Sequence, residues 1–272
     1  MSNNDLNFKR KERKYLILEH TFEEIKEELS EHIPIHIFEG KNPYLIETTY
    51  LDTKEHLLFH EYLNRRKFRF KIRLRRYNDS DNYLVELKVK HNGISRKKRF
   101  ILPADLLSDF LAGKKIKEEI KAANKGLAGA QKTYKMISKL ISLNEFVPVL
   151  RSSYERVAFQ KKSRKVRITV DRNITHEKLL GKPKTTTLDA VVLESKVMGK
   201  TPKWHKKMVN RLSLLRQRRF SKFSTGINSI YYPARGKYNF EIDEETETET
   251  PLKILESFEL MKKYLKLGES YL

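Results

Sequence analysis

The stretch RKFRFKIRLRRY, residues 66–77, decides the fold. It consists of two alternating sets: the cations Arg69, Lys71, Arg73 and Arg75, and the apolar residues Phe68, Phe70, Ile72 and Leu74. This period of two predicts a β-strand that has one face in a hydrophobic core. Neighbouring cations on the other face stand ~7 Å apart, because a strand rises about 3.3 Å per residue. Like charges at this spacing repel, so the strand raises the question of which anion it binds.

The composition favours a polyanionic partner. The 272 residues include 57 Lys and Arg against 35 Asp and Glu, a net charge of +22. Such an excess is typical of proteins that bind nucleic acid, an anionic membrane surface or a phosphate-rich small molecule. The absence of cysteine excludes disulfides, thiolate catalysis and cysteine-bound zinc. The sequence shows neither a signal peptide nor an apolar run of about 18 residues, so we expect a cytoplasmic protein without a membrane segment.

Further segments repeat the strand pattern, and helices separate them. The alternating segments are YLVELKVK (83–90), SRKKRFIL (95–102), YERVAF (154–159), VRITVD (166–171) and VVLESKV (191–197). Helices are predicted at residues 21–33, with Thr21 and Glu24 as a capping box, over much of 103–145, at 201–215, and near the C-terminus. Hairpins with inserted helices favour an α+β fold with an antiparallel sheet closed on itself or nearly so. We expect one domain over residues 1–235, then an acidic linker and C-terminal helix over 236–272.

Single carboxylates interrupt the cationic faces of two strands. Glu86 lies between cations that include Lys88, and Glu194 is two residues from Lys196. A solvated face explains any one of these strands, since antiparallel sheets often place one face in water. Three features favour a site instead: the outward residues are nearly all cations, Arg is preferred in the first strand, and each carboxylate stands alone. Arginine suits phosphate oxygens, and a lone carboxylate can bind a divalent cation.

Seven segments together resemble a known family. They occur in the order KIRLRRY, YLVELKVK, SRKKRF, YERVAF, VRITVD, VVLESK and RRFSKF, and ERKYLI and YLDT add to the likeness. In this order they resemble the VTC domain, the catalytic domain of polyphosphate polymerases among the triphosphate tunnel metalloenzymes, in its bacterial branch. The resemblance covers about Arg10 to Tyr232. It implies an antiparallel eight-stranded barrel that forms a tunnel, with helices packed outside.

The resemblance also implies an activity and its residues. Family members transfer the γ-phosphoryl group of ATP to a growing polyphosphate chain with the help of Mn²⁺ or Mg²⁺. By the motif matches, Glu194 would bind the metal. The matched phosphate-binding residues are Lys14, Arg73, Arg75, Lys88, Tyr154, Arg156, Arg167, Arg219, Ser221 and Lys222. The neighbouring Lys71, Glu86, Lys90, Lys97, Lys98 and Lys196 are further candidates, and a one-residue slip in the hairpin would exchange the faces of Lys97 and Lys98.

Other functions remain open at this point. The partners expected are ATP and polyphosphate or triphosphate, and the sequence names no protein partner. A triphosphatase would use the same residues with water as the acceptor, although the opening KRKERK keeps only Glu12 of the acidic pattern seen in hydrolytic relatives. A sensor would bind polyphosphate or nucleotide without turnover. Nucleic-acid binding is not expected, because the cations lie on strand faces without exposed aromatic platforms. His176 and His205 are interpreted as surface residues, and His91 is placed at a turn and given no role.

Overall fold

The computed structural model describes residues 10–161, 163, 165–217, 220–235, 251–265 and 267. Its strands are β1 (Arg10–Ile17), β2 (Tyr44–Asp52), β3 (Phe68–Tyr77), β4 (Asn82–His91), β5 (Ile94–Pro103), β6 (Val147–Gln160), β7 (Val166–Lys178), β8 (Thr185–Thr187) and β9 (Val191–Met198). Its α-helices are α1 (Phe22–His32), α2 (Leu57–Leu63), α3 (Leu107–Leu111), α4 (Lys117–Ala123), α5 (Ala130–Asn144), α6 (Lys203–Arg211), α7 (Lys222–Tyr231) and α8 (Leu252–Leu265). Short 3₁₀ helices span Glu19–Thr21, Ala104–Leu106 and Pro233–Arg235.

Eight of the described strands follow one another in a single pairing order, β1-β9-β7-β6-β2-β3-β4-β5, and β8 pairs with β7 beside this path. The pairings of β1 with β9, β9 with β7, β3 with β4 and β4 with β5 are antiparallel. The predicted α+β class, an antiparallel eight-stranded sheet with helices, is confirmed. The hairpin between β4 and β5 turns at Asn92 and Gly93, which both have positive φ, as its tight two-residue turn requires.

The chain divides into two compact units. The first unit comprises residues 1–46, 152–176 and 185–222. Its core forms where the apolar faces of β1, β6, β7 and β9 meet α1 and α6. Phe22, Ile25 and Leu29 of α1 recur at spacings of three and four, which places them on one side of the helix, and all three are buried there. The polar faces of the same strands are thereby left to carry the charged residues.

The second unit comprises residues 47–151, 177–184 and 223–272. The apolar residues of β3 that the opening stretch predicts are all buried in its core, together with those of β4, β5, α5 and α8. The ring of Phe258 in α8 lies 5.0 Å from that of Phe68, and Asn144 Nδ2 donates to Ser257 Oγ at 2.9 Å. Helix α8 therefore belongs to this core. The boundary proposed after residue 235 stays a prediction, and the acidic segment 241–250 lies outside the described residues.

Local details differ from the sequence expectations. Thr21 precedes α1, but its hydroxyl donates to the carbonyl of Leu18 at 2.8 Å and caps no helix N–H, so the predicted capping box is wrong. The segment after Lys222, which carried no helix prediction, forms α7. Helix α2 lies within residues 54–64, KEHLLFHEYLN, whose sequence alone is ambiguous between a short helix and a turn. No helix in the described part of the chain is long and apolar enough to cross a membrane.

Candidate phosphate and metal site

One face of β1, β9 and β7 in the first unit carries a grid of charged and polar residues. The register places Lys14, Glu194 and Thr169 in one row across the three strands. The next row consists of Glu12, Lys196 and Arg167. Because side chains alternate along a strand, these six share a face with Asp171, and we call the seven the Glu194 face. The residues between them, such as Ile168 and Leu193, fill the core of the unit.

Glu194 is held as a carboxylate. Its burial alone would raise its pKa, but the charges of Lys196, Lys14 and Arg156 and a hydrogen bond with Glu12 lower the pKa well below its usual value. Lys196 Nζ lies 3.0 Å from Glu194 Oε2. The pKa of Lys196 is itself lowered, because its burial outweighs the attraction of Glu194 and Glu12. The surrounding cations thus outweigh burial at Glu194, whereas burial outweighs the surrounding carboxylates at Lys196. An incoming phosphate would supply the missing negative charge.

Asp171 is the centre of a second ion cluster in the same unit. Arg156 donates from Nε to Oδ1 at 2.6 Å and from Nη2 to Oδ2 at 2.8 Å, a two-pronged contact. Lys222 Nζ, at the start of α7, donates to Oδ2 at 2.5 Å. Burial raises the pKa of Asp171, but Arg156 and Lys222 outweigh it and bring the pKa to about 2. Tyr154 packs beneath these cations, with its ring centre 4.3 Å from Lys222 Nζ and 5.4 Å from Arg156 Cζ.

A separate cluster surrounds Glu86 in the second unit. Arg73 donates to Glu86 Oε2 from Nε at 2.8 Å and from Nη2 at 2.7 Å, and Lys97 Nζ donates to Oε1 at 2.8 Å. Arg75 Nη1 lies 3.7 Å from Oε2. Burial raises the pKa of Glu86, but the three cations lower it below the usual value. Glu86 is therefore the counterion of this cluster, which leaves Arg73 partly exposed and able to meet a phosphate.

The register also assigns the remaining cations of β3, β4 and β5. Lys71, Lys88 and Lys97 form one row across the three strands, on the same face as Glu86. Lys98 pairs with Leu87 on the opposite, core-facing side of the hairpin, so it does not share a face with Lys97. Lys90 shares the cationic face, and its pKa is lowered by burial and by the charge of Arg69.

Lys71 differs from its neighbours because aromatic rings surround its ammonium. Lys71 Nζ lies 4.5 Å from the ring centre of Tyr62 and 4.6 Å from that of Phe223. Ring faces attract cations, so both contacts favour the charged form. Lys71 thus has aromatic partners within the second unit, and its neighbour Lys88 in the same row is exposed.

The other candidate residues lie as follows. Lys14 Nζ donates to the carbonyl of Phe220 at 3.1 Å and lies 5.8 Å from its ring centre. Arg167 Nη1 donates to Gln160 Oε1 at 3.0 Å. Ser221 directly precedes α7, and Arg219 lies outside the described residues. The first unit thus brings together Lys14, Tyr154, Arg156, Arg167, Glu194, Lys196 and Lys222, and the second brings together Lys71, Arg73, Arg75, Glu86, Lys88, Lys90 and Lys97.

Sequence reasoning missed Asp171 as a site residue and misread the histidines. Asp171 belongs to the polar set of VRITVD, so the alternation contained its signal. The surface prediction for His176 and His205 is wrong, because each is only 1% exposed, and His91, at the end of β4, is 4% exposed. His176 Nδ1 lies 2.8 Å from Ser152 Oγ, and burial, followed by the charge of Lys222, lowers the pKa of His176 to about 3. Segments that are distant in the sequence bury these histidines, so a local sequence pattern does not predict their burial.

The Glu194 face fits a divalent ion of a particular kind. Among the residues that the structure describes, no three His, Cys, Asp or Glu side chains cluster to form a closed metal cage. Glu12 of β1 is nevertheless one row from Glu194 on the same face and forms a hydrogen bond with it. Two carboxyl groups are thus available to one divalent cation. Mg²⁺ is typically bound by one or two carboxylates, with substrate phosphates and water as its other ligands. The donor set agrees with that mode.

Comparison with known proteins adds the family. The VTC domain model matches residues 9–231. Vacuolar transporter chaperone complex subunit 4 of Schizosaccharomyces pombe is 23% identical over 83% of the chain, which spans only 38% of that relative's length.

Solved structures of similar chains are more distant. A Bacillus halodurans protein described as an adenylate cyclase is 15% identical, with a TM-score of 0.47 over 81% of this chain and 96% of that one. A Hippeastrum protein described as an adenylyl cyclase with a dominant triphosphatase activity is 14% identical, with a TM-score of 0.46. The match covers 80% of this chain and 95% of that one.

Proposed function

The chain belongs to the VTC domain family, and from this premise we propose that it transfers the γ-phosphoryl group of ATP to the end of a polyphosphate chain. The observation that carries the proposal is the Glu194 face. It places an ionised carboxylate beside a lysine whose charge is incompletely compensated, within a larger set of cations. A metal-bound triphosphate would bring a divalent cation to the ionised Glu194 and phosphate oxygens to Lys196.

The proposed reaction needs little covalent help from the protein. A terminal phosphate oxygen of the acceptor attacks the γ-phosphorus, the bond from that phosphorus to the β–γ bridging oxygen breaks, and ADP leaves with the electron pair. The attacking oxygen is already an anion, so no general base is required. Catalysis then depends on in-line positioning and on neutralising charge as it moves to the leaving oxygen. Mn²⁺ or Mg²⁺, when bound, would supply Lewis-acid neutralisation of the phosphate oxygens.

The residues of the first unit divide these tasks. Lys14 and Lys196 flank Glu194 and would bind phosphate oxygens. Arg156 is fixed by its two contacts with Asp171, so its guanidinium is already oriented before any ligand arrives. Such preorganised charge stabilises a transition state without the cost of reorienting dipoles. Asp171 therefore acts as a positioning residue in this proposal, and it touches no substrate.

One observation favours a second candidate, a metal-dependent triphosphatase. The hydrogen bond between Glu12 and Glu194 places an extra carboxyl group at the edge of the face. That group, when ionised, could accept a proton from an attacking water molecule. The acceptor is then water, and the product is orthophosphate.

Product analysis separates these functions. We would incubate the purified chain with ATP and Mn²⁺ and follow the products by ³¹P NMR. Growth of a mid-chain phosphate signal with matching ADP supports the polymerase, and orthophosphate alone supports the triphosphatase. Absence of turnover, with ATP still protecting the protein against heat, would leave the sensor and refute both enzymes.

The variant Glu194→Gln tests the carboxylate. We expect it to abolish metal-dependent turnover and to keep the fold, because the amide retains the shape and one oxygen acceptor. Glu118→Gln is the matched control, since Glu118 is exposed on α4, where it forms an ion pair with Lys117 at 3.2 Å. Turnover by Glu194→Gln at the wild-type level would contradict the assigned role.

A further inference from the structure

Thr169 occupies the middle of the Glu194 face and has an unused hydroxyl group. It lies on β7 between Arg167 and Asp171 and is paired directly with Glu194 of β9. Its exposure is 1%, and Oγ1 has no hydrogen-bond partner among the described residues. A buried hydroxyl without a partner is destabilising, because it loses its bonds to water and gains none in return. Valine would fill nearly the same space in a strand without that cost.

The position of the hydroxyl limits what it can bind. Directly paired residues in antiparallel strands have Cβ atoms about 4.5–5.5 Å apart, so any ligand held by Glu194 is within reach of Oγ1. Asp171, two residues along, is already occupied by Arg156 and Lys222. On the other side, Arg167 donates to Gln160. Glu194, which is paired with Thr169, is therefore the neighbouring carboxylate that can bind a divalent cation.

A hydroxyl oxygen is a suitable ligand for a hard divalent ion. Mg²⁺ and Mn²⁺ prefer oxygen ligands, and a Ser or Thr hydroxyl binds Mg²⁺ beside the phosphates in the P-loop. The Glu194 face contains no third carboxylate near enough to complete a metal cage within the described chain. A neutral oxygen at Thr169 would add a ligand without adding negative charge that repels the triphosphate.

We propose that Thr169 Oγ1 is a protein ligand, beside Glu194, of the divalent cation that accompanies the triphosphate. The inference rests on the proposed function only in giving Glu194 the metal. The hydroxyl coordinates the ion when substrate is bound. In the metal-free protein the same hydroxyl lacks a partner and lowers the stability of the fold.

The structure offers a matched control for this hydroxyl. Ser195 follows Glu194 on β9, is 1% exposed, and also has an Oγ without a hydrogen-bond partner among the described residues. It pairs with Ile168 and points to the opposite side of the sheet. Ser195→Ala thus removes an equally buried hydroxyl one residue from Glu194, where it cannot contact an ion on the Glu194 face.

The test measures how much the metal strengthens binding of a triphosphate. The affinity of the full chain for β,γ-methylene-ATP is measured by calorimetry in EDTA and again in excess Mn²⁺. The Kd in EDTA divided by the Kd in Mn²⁺ gives the factor by which the metal strengthens binding. We expect Thr169→Val to lower this ratio about 10- to 100-fold, the range seen when a metal site loses a supporting group, and to leave the Kd in EDTA unchanged. Thr169→Ser and Ser195→Ala should keep the wild-type ratio. In EDTA, the Tm of Thr169→Val should equal or exceed that of the wild type.

Each contrary result overturns the inference in a recognisable way. An unchanged ratio in Thr169→Val would show that the hydroxyl does not bind the ion. If Thr169→Val has a higher Kd for the analogue in EDTA and an unchanged ratio, the hydroxyl binds phosphate instead of the ion. If Thr169→Val does not fold, Thr169→Ala and Thr169→Ser decide the same question, since only the former lacks the oxygen. A wild-type ratio in Glu194→Gln would overturn the metal assignment itself, and the product analysis tests the polymerase separately, because binding of the analogue requires no turnover.

Discussion

Replacing Glu86 by Gln should destabilise the protein strongly, and triphosphate should restore part of the loss. The carboxylate accepts three contacts at 2.7–2.8 Å from Arg73 and Lys97, and its side chain is only 1% exposed. Arg75 adds a fourth contact at 3.7 Å. The amide has the same shape and keeps one acceptor oxygen, so the substitution removes the charge and little else.

The magnitude follows from this geometry. Two unit charges 4 Å apart attract by roughly 4 kcal/mol at the effective dielectric near a protein surface, and desolvation offsets part of that. Removing one partner from a buried ion pair typically costs about 3–5 kcal/mol, because the other charges are left uncompensated. We expect a loss in this range, which is a large part of the ~5–15 kcal/mol that stabilises an ordinary domain.

Urea denaturation at pH 7, followed by far-UV circular dichroism, measures the loss. Tripolyphosphate should raise the unfolding midpoint of Glu86→Gln more than that of the wild type, because three cations then lack their counterion. Glu118→Gln serves as the control, and its unfolding midpoint should stay close to that of the wild type, because an exposed ion pair contributes little to stability. A loss below about 1 kcal/mol in Glu86→Gln, or equal rescue of both proteins, would refute the counterion role.

The same carboxylate gives a dependence on pH with a definite sign. The pKa of Glu86 is lower in the folded protein than its usual value, since the cations outweigh burial. Its stabilisation is therefore fully present above the ordinary carboxyl pKa and is lost as the pH falls through the lowered one. The wild type should lose stability in acid more steeply than Glu86→Gln, and parallel curves would contradict this assignment.

Three further predictions concern other parts of the fold. Arg156→Ala should cost about 3–5 kcal/mol in urea unfolding, because Asp171 stays buried with one cation fewer, and Arg156→Lys should cost less since it keeps the charge. Because the pKa of His176 is lowered to about 3 in the folded protein, stability should fall as the pH drops below ~6.5, by roughly 2 kcal/mol at pH 5. In His176→Asn the unfolding midpoint should depend less on pH between about pH 5 and 7. Phe258→Ala should lower stability by about 3–5 kcal/mol in thermal unfolding, whereas Leu252→Ala on the same helix, 69% exposed, should change little.

The sequence by itself determined the strands and their two faces. The alternation in β3 requires one apolar and one cationic side whatever the rest of the chain does, because successive side chains point in opposite directions. The burial of Phe68, Phe70, Ile72 and Leu74 agrees with it. The lone carboxylates Glu86 and Glu194 were visible in the same way, since a local pattern shows which residues share a face.

Only the tertiary structure decided which faces meet and in what register. Lys97 and Lys98 lie on opposite sides of the strand in any register, but only the pairing of Lys88 with Lys97 and of Leu87 with Lys98 decides that Lys97 is the one on the same face as Glu86. The contact of Arg156 with Asp171, the burial of His176 and the unpaired hydroxyl of Thr169 likewise depend on neighbouring strands. The physical reason is that a slip of one residue reverses every side chain of a strand, and long-range pairing, which no local segment encodes, sets that register.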